Sequence, residues 1–148
     1  MSRRLRLLLL AAGVLAFLAI SFLLARYLTT ENVERDDIFS LLRAEARGDV
    51  HGMLAQLDGC ARRPSCASTV VTDARGLRRP GDLKILALSS ATAYSLTSST
   101  GLTRVAWKVP GRFPVVQCVL VDRQGSFLTG LSVTLRALGP PLAGTATC

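Results

Sequence analysis

Between Leu7 and Leu24 the chain runs for 18 residues without a charged side chain, built mainly of Leu, Ala, Ile and Phe. As a helix rising about 1.5 Å per residue, this run is about 27 Å long, close to the apolar thickness of a bilayer. Arg26 and Tyr27 follow it, a guanidinium and an amphipathic ring that both sit well at a membrane interface. Arg3, Arg4 and Arg6 precede the run, whereas Glu31, Glu34, Asp36 and Asp37 lie beyond Arg26. Positive flanks stay on the cytoplasmic side, so the expected topology is a cytoplasmic amino terminus with the rest of the chain outside. A cleaved secretory signal has a shorter apolar core, about 7 to 15 residues, and leaves it through small residues. Here the exit reads Ser21-Phe22-Leu23-Leu24-Ala25-Arg26-Tyr27, with bulky side chains where small ones are needed. An uncleaved single-pass anchor is the expectation. No cysteine stands near the end of the run, which removes a lipoprotein attachment.

At 148 residues there is room for one such span and one domain. The expected division is a cytoplasmic terminus and transmembrane helix over 1–28, a linker over 29–33, and an extracytoplasmic domain over 34–148. The formal charge of +8 is less telling than it looks, because from Tyr27 onward 14 basic residues face 10 acidic ones. That excess is scattered, without a basic stripe interleaved with aromatics, and no nucleic acid is expected as a partner. Anionic headgroups or envelope polymers are better matched to it.

All four cysteines, Cys60, Cys66, Cys118 and Cys148, follow the span. An even count on the oxidising side of a membrane favours disulfides. Four cysteines permit three pairings, and sequence alone does not choose among them. The natural local pair is Cys60 with Cys66, around a five-residue loop containing Pro64, which leaves Cys118 with Cys148. No metal site is expected. The C-x5-C spacing lacks the short bite of a zinc site, and His51 is the sole histidine.

Beyond the connector, Ile38, Leu41, Leu42 and Ala46 recur at helical spacing and predict a helix over 34–47. Gly48 ends it, and Asp49 is placed to cap a second helix carrying Val50, Met53, Leu54 and Leu57. A third helix is predicted within 65–75, before Gly76 and Pro80-Gly81 break the pattern. From Leu83 the period changes to alternation, predicting strands over 83–96, 102–109, 113–122 and 127–138. Turns are expected at 98–101, Pro110-Gly111 and 123–126. Helices first and an antiparallel meander afterwards make an α+β domain, with the helices on one face of a curved four-stranded sheet.

This order, with a hairpin broken at Gly48-Asp49 and strands opening Gly81-Asp82-Leu83-Lys84-Ile85-Leu86, Thr103-Arg104-Val105-Ala106-Trp107 and Val115-Val116-Gln117-Cys118-Val119, resembles the nuclear-transport-factor-2-like superfamily. Within it, the chain is similar to small bacterial envelope proteins with one N-terminal membrane helix, over about residues 34–138. Arginine-rich, lysine-poor usage, with only Lys84 and Lys108, suits a GC-rich bacterium. The resemblance implies a cone whose helices and concave sheet enclose a pocket. It also implies members of both kinds, isomerases, dehydratases and epoxide hydrolases beside non-catalytic anchored interaction modules, so fold alone does not fix function.

An enzyme of this fold needs a carboxylate or histidine base facing the cavity. Asp122, Tyr94 and His51 are the available groups, and none stands in a motif. Asp122, followed by Arg123 and Gly125, reads as a turn residue, Tyr94 as a strand residue and His51 as a solvated or capping side chain on its helix. No G-x-S-x-G elbow and no phosphate-cradling glycine pattern occurs. Trp107, between Val105 and Val109, reads as core before ligand wall, and Cys118 as a structural bond before a nucleophile. A cone pocket, if used, would draw on Tyr94, Trp107 and Asp122; no catalytic residue and no cofactor is assigned. The expectation is an exported, non-enzymatic domain that binds another envelope protein or a small apolar ligand. Homodimerisation through the open sheet face, on the side of Leu128 and Gly130, is compatible with it. The competing expectation is an enzyme working in the cone pocket.

Overall fold

A computed structural model describes residues 3–92, 97–126, 129–143 and 146–148, with the backbone alone at Tyr27. The predicted connector at 29–33 is helical. Helix α1 runs unbroken over Arg3–Arg47, because no glycine or proline interrupts residues 14–47; the hydroxyls of Thr29 and Thr30 are satisfied within it by the carbonyls of Ala25 and Arg26. Among the described residues it is the one helix long and apolar enough to cross a membrane, and the apolar stretch within it is not buried by the rest of the chain. Its last third is different: Ile38, Leu41 and Leu42 are fully buried.

Gly48 ends α1 in the left-handed region at φ 72°, which costs glycine little. Gly48 N–H donates to the Glu45 carbonyl at 2.8 Å and Asp49 N–H to that of Ala44 at 2.9 Å, closing a Schellman turn. The Asp49 carboxylate then accepts from Gly52 N–H at 2.8 Å and caps α2, Val50–Gln56. A 3-10 turn at Cys60–Arg62 leads into α3, Pro64–Gly76, and the Cys60–Cys66 disulfide joins the two.

The sheet is a meander in the order β1-β2-β3-β4, with every neighbouring pair antiparallel. Its strands are β1 Lys84–Ser90, β2 Thr97–Lys108, β3 Val115–Ser126 and β4 Gly130–Leu138. Two predicted turns are therefore strand: residues 98–101 belong to β2, and 123–126 to β3, where polar and glycine composition mimicked turn chemistry. The first strand stops at Ser90, and its predicted continuation over 93–96, with Tyr94, lies outside the described residues, as do Phe127 and Leu128 at the predicted start of the fourth. Alternate residues of β3, Val115, Gln117, Val119, Val121 and Arg123, are buried beneath the helices, and the intervening ones form the opposite face. Beyond β4 the chain returns along β3, with Gly139 N–H on the Cys118 carbonyl and Leu142 N–H on that of Val116. The Cys118–Cys148 disulfide then fastens the end of the chain to the sheet. Closing that loop restricts the unfolded chain by about 3 to 4 kcal/mol in the chain-entropy account.

One ion pair joins helix to sheet. Glu34 of α1 and Arg123 of β3 are 1% and 2% exposed, and the Glu34 carboxylate accepts from Arg123 Nε at 2.9 Å as well as from its Nη2. Thr103 of β2 donates to the same carboxylate at 2.7 Å and Thr92 at 3.2 Å. A buried pair is stabilising relative to half a pair, not relative to a well-packed apolar replacement, because both charges have lost their water. Arg123→Met should therefore cost about 3 to 5 kcal/mol, while Glu34→Leu with Arg123→Met should recover most of the loss. Urea unfolding of the full chain in detergent, followed through its single tryptophan, checks both; equal losses in the single and double variants would show that the pair does not act as a unit.

Candidate functional site

Eleven residues beyond Glu34, a second acid of α1 enters the core. Glu45 is 0% exposed and its Oε1 accepts from Gln117 Nε2 at 2.8 Å; Gln117 in turn accepts at Oε1 from the Trp107 indole N–H at 2.8 Å. Asp73 of α3 is buried at the same end, 4% exposed. Among the described residues, Glu45 Oε2 and Asp73 Oδ2 have no hydrogen-bond partner. A carboxylate deprived of water and donors keeps its proton to higher pH. Burial pushes Glu45 up to about 7, with the Gln117 hydrogen bond opposing, the Asp73 charge adding to the shift and Arg79 opposing it. Burial likewise pushes Asp73 up to about 6.

Over this end of the core lies a surface cleft of about 480 Å³, lined by Phe39, Arg43, Arg47, Arg79, Asp82 and Leu83, with Ala46 and Pro80-Gly81 in its wall. Two of its cations are held. The Arg43 guanidinium stands 4.4 Å from the Phe39 ring centre, and that of Arg79 stands 5.8 Å from the Trp107 ring while donating to the Phe113 carbonyl at 2.8 Å. Gly81 must be glycine, since a Cβ there would fall 2.6 Å from Val109 Cγ1 at a φ of 141°. Among the described residues none of Arg43, Arg47 and Arg79 is ion-paired.

Two further clefts flank α1 nearer the apolar stretch. One of about 350 Å³ lies between residues 22–33 and the start of β4, and one of about 310 Å³ between residues 31–35 and β1.

Of the sequence candidates, the described residues Trp107 and Asp122 lie on opposite faces of the sheet. Trp107 is wholly inside the core, bonded to Gln117, and lines none of these clefts. Asp122 is not a turn residue: it lies within β3, opposite Thr100 and Thr134, on the face away from α1. There it accepts from Arg136 at 2.9 Å, Thr100 at 3.0 Å and Gln124 at 3.0 Å, and the Arg136 and Gln124 hydrogen bonds hold its carboxyl below the usual range. Arg136 also pairs with Asp58. Such a carboxylate is a fixed anion, unsuited to taking a proton near neutrality. Tyr94 is outside the described residues, and His51 is exposed on α2. Glu45, Asp73 and Arg79 went unnoticed in the sequence, although a signal existed for the first: Glu34, Ile38, Leu41 and Glu45, spaced 4, 3 and 4, put both carboxylates on the buried stripe.

Compared with protein-family models, with curated proteins and with solved structures, the chain matches none.

The raised acids make stability depend on pH in a defined sense. A folded Glu45 near 7 against an ordinary 4.5 binds its proton more tightly than the unfolded chain does, so its contribution is complete below 4.5 and is lost as pH rises through 7. Asp73 adds a loss between 3.8 and about 6. Glu45→Gln keeps an acceptor for Gln117 and cannot ionise; it should match the parent at pH 4 and exceed it at pH 8 by up to about 3 kcal/mol. Denaturation across that range measures this, and an unchanged slope in the variant would refute the assignment.

Proposed function

We propose that the chain is a single-pass membrane protein whose exported domain binds another component of the cell envelope without transforming it. On this reading the amino terminus is cytoplasmic, the stretch around residues 7–24 spans the bilayer, and the domain is a bacterial member of the nuclear-transport-factor-2-like superfamily. Three helices followed by a four-stranded antiparallel meander support that kinship, and two disulfides support an oxidising compartment. The observation that carries the proposal is the continuity of α1. The helix bearing the apolar stretch also supplies Ile38, Leu41 and Leu42 to the domain core, so the domain is built onto its anchor and presents its surface at a fixed height.

The competing reading, an isomerase, dehydratase or hydrolase acting on a small apolar substrate in a cone pocket, draws on one observation, the raised pKa of Glu45. A general base must reach its substrate. Glu45 is 0% exposed and lines none of the three clefts, and the volume between helix and sheet holds Trp107, Gln117 and the Glu34–Arg123 pair. The arrangement favours binding at the surface.

Native mass spectrometry of the full chain, taken from its host's membranes in detergent, tests the proposal. The expected spectrum shows the chain with a second species bound in fixed stoichiometry. A chain that emerges bare from intact membranes would count against a binding role, and recovery of a substrate and its altered product together would replace it with the enzymatic one.

A further inference from the structure

The cleft over Glu45 belongs to an end of the domain whose charges are arranged against stability. Arg43 and Arg47 are like charges four residues apart on α1, a spacing that brings them together on the helix surface. Arg47 in the last helical turn is partly accounted for by the helix dipole. Arg43, one turn earlier, packs on the Phe39 ring and has no carboxylate partner among the described residues. Between Leu77 and the end of the chain the acids are Asp82 and Asp122, and Asp122 is already paired with Arg136. Three arginines face one acid, Asp82, in the lining of the cleft, which lies at the end of α1 remote from the apolar stretch. Phe39, Trp107 and the Phe113 carbonyl hold the Arg43 and Arg79 guanidiniums with no carboxylate among the described residues at ion-pairing distance; an oxyanion ligand gains from this, because held forks lose little freedom when they close on it.

We propose that this cleft binds a phosphate-bearing polyanion, with Arg43 and Arg47 taking successive phosphates and Arg79 extending the track. The inference deepens the binding role proposed above and rests on it. Arg43 is 19 residues beyond Leu24, about 28 Å along a straight helix, so a bilayer holding the helix upright keeps its own headgroups out of reach. The ligand is then a soluble or envelope polymer, or the headgroups of a facing bilayer.

The full chain in phosphatidylcholine nanodiscs is titrated by calorimetry with long-chain inorganic polyphosphate at physiological salt. Binding is expected, weakened about tenfold or more by R43Q/R47Q and unchanged by R104Q, which removes an exposed cation from the sheet face. Both variants alter exposed side chains, and tryptophan fluorescence verifies that each is folded. Capture of phosphatidylglycerol vesicles with the same dependence on R43Q/R47Q would identify facing headgroups as the source of the phosphate. No binding of either probe, or equal weakening by R104Q, overturns the proposal, as does equal affinity for polyglutamate, which would indicate an acidic protein segment instead. If polyphosphate fails while the host-derived complex survives in R43Q/R47Q, the anion site falls and the binding role stands.

Discussion

The contact on which the fold turns is a charge pair with no access to water. Glu34 receives hydrogen bonds from Arg123 on β3, Thr103 on β2 and Thr92 just beyond β1, so one carboxylate on the long helix gathers the sheet beneath it. Sliding β3 by one residue would turn Arg123 to the outer face and leave Glu34 buried without its cation, a much larger penalty than a slipped apolar contact. A second polar contact fixes direction. From Glu34 to Glu45 is about 17 Å of helix, and from Arg123 to Gln117, their respective partners, is about 20 Å of strand, so β3 runs back along α1 close to antiparallel.

These two contacts were also what the sequence concealed. Apolar periodicity exposed the helices, because Ile38, Leu41 and Leu42 can be buried in only one way, and alternation exposed the strands for the same reason. Glycine and an aspartate cap placed the break at Gly48-Asp49, and the disulfide pairing favoured by loop length is the one formed. Arg123 was read as a turn residue because Arg-Gln-Gly-Ser is what turns are made of. Only a partner 89 residues away makes it a core residue. Residues 98–101 were misread for a similar reason, since β2 there is Ser, Thr and Gly at the exposed end of a strand whose other end holds Trp107. Glu45 sat in plain view on the buried stripe, but its chemistry depends on Asp73, Gln117 and Arg79, which folding alone brings near.

The core between helices and sheet is mainly apolar, and the acids within it stand out. The two buried carboxylates of α1 are handled in opposite ways: Glu34 is surrounded by donors, whereas Glu45 has one acid neighbour and a single amide donor to Oε1. Uncompensated groups of this kind are expensive, and both Glu45 and Asp73 lie under the one cleft lined by three arginines.

The unbroken run of α1 has one more consequence, for the direction in which the domain faces. A helix transmits rotation as well as height: each residue added advances it by about 100° and 1.5 Å. With no flexible joint between the apolar stretch and Ile38, whatever grips residues 7–24 also sets the compass bearing of the sheet and of the arginine-lined cleft. One residue inserted near Thr29 would swing the cleft to another quarter of the horizon, and seven would bring it almost back to its original heading. Substitutions along 25–33 that keep the helix leave that heading as it is, whereas insertions or deletions short of whole turns move it.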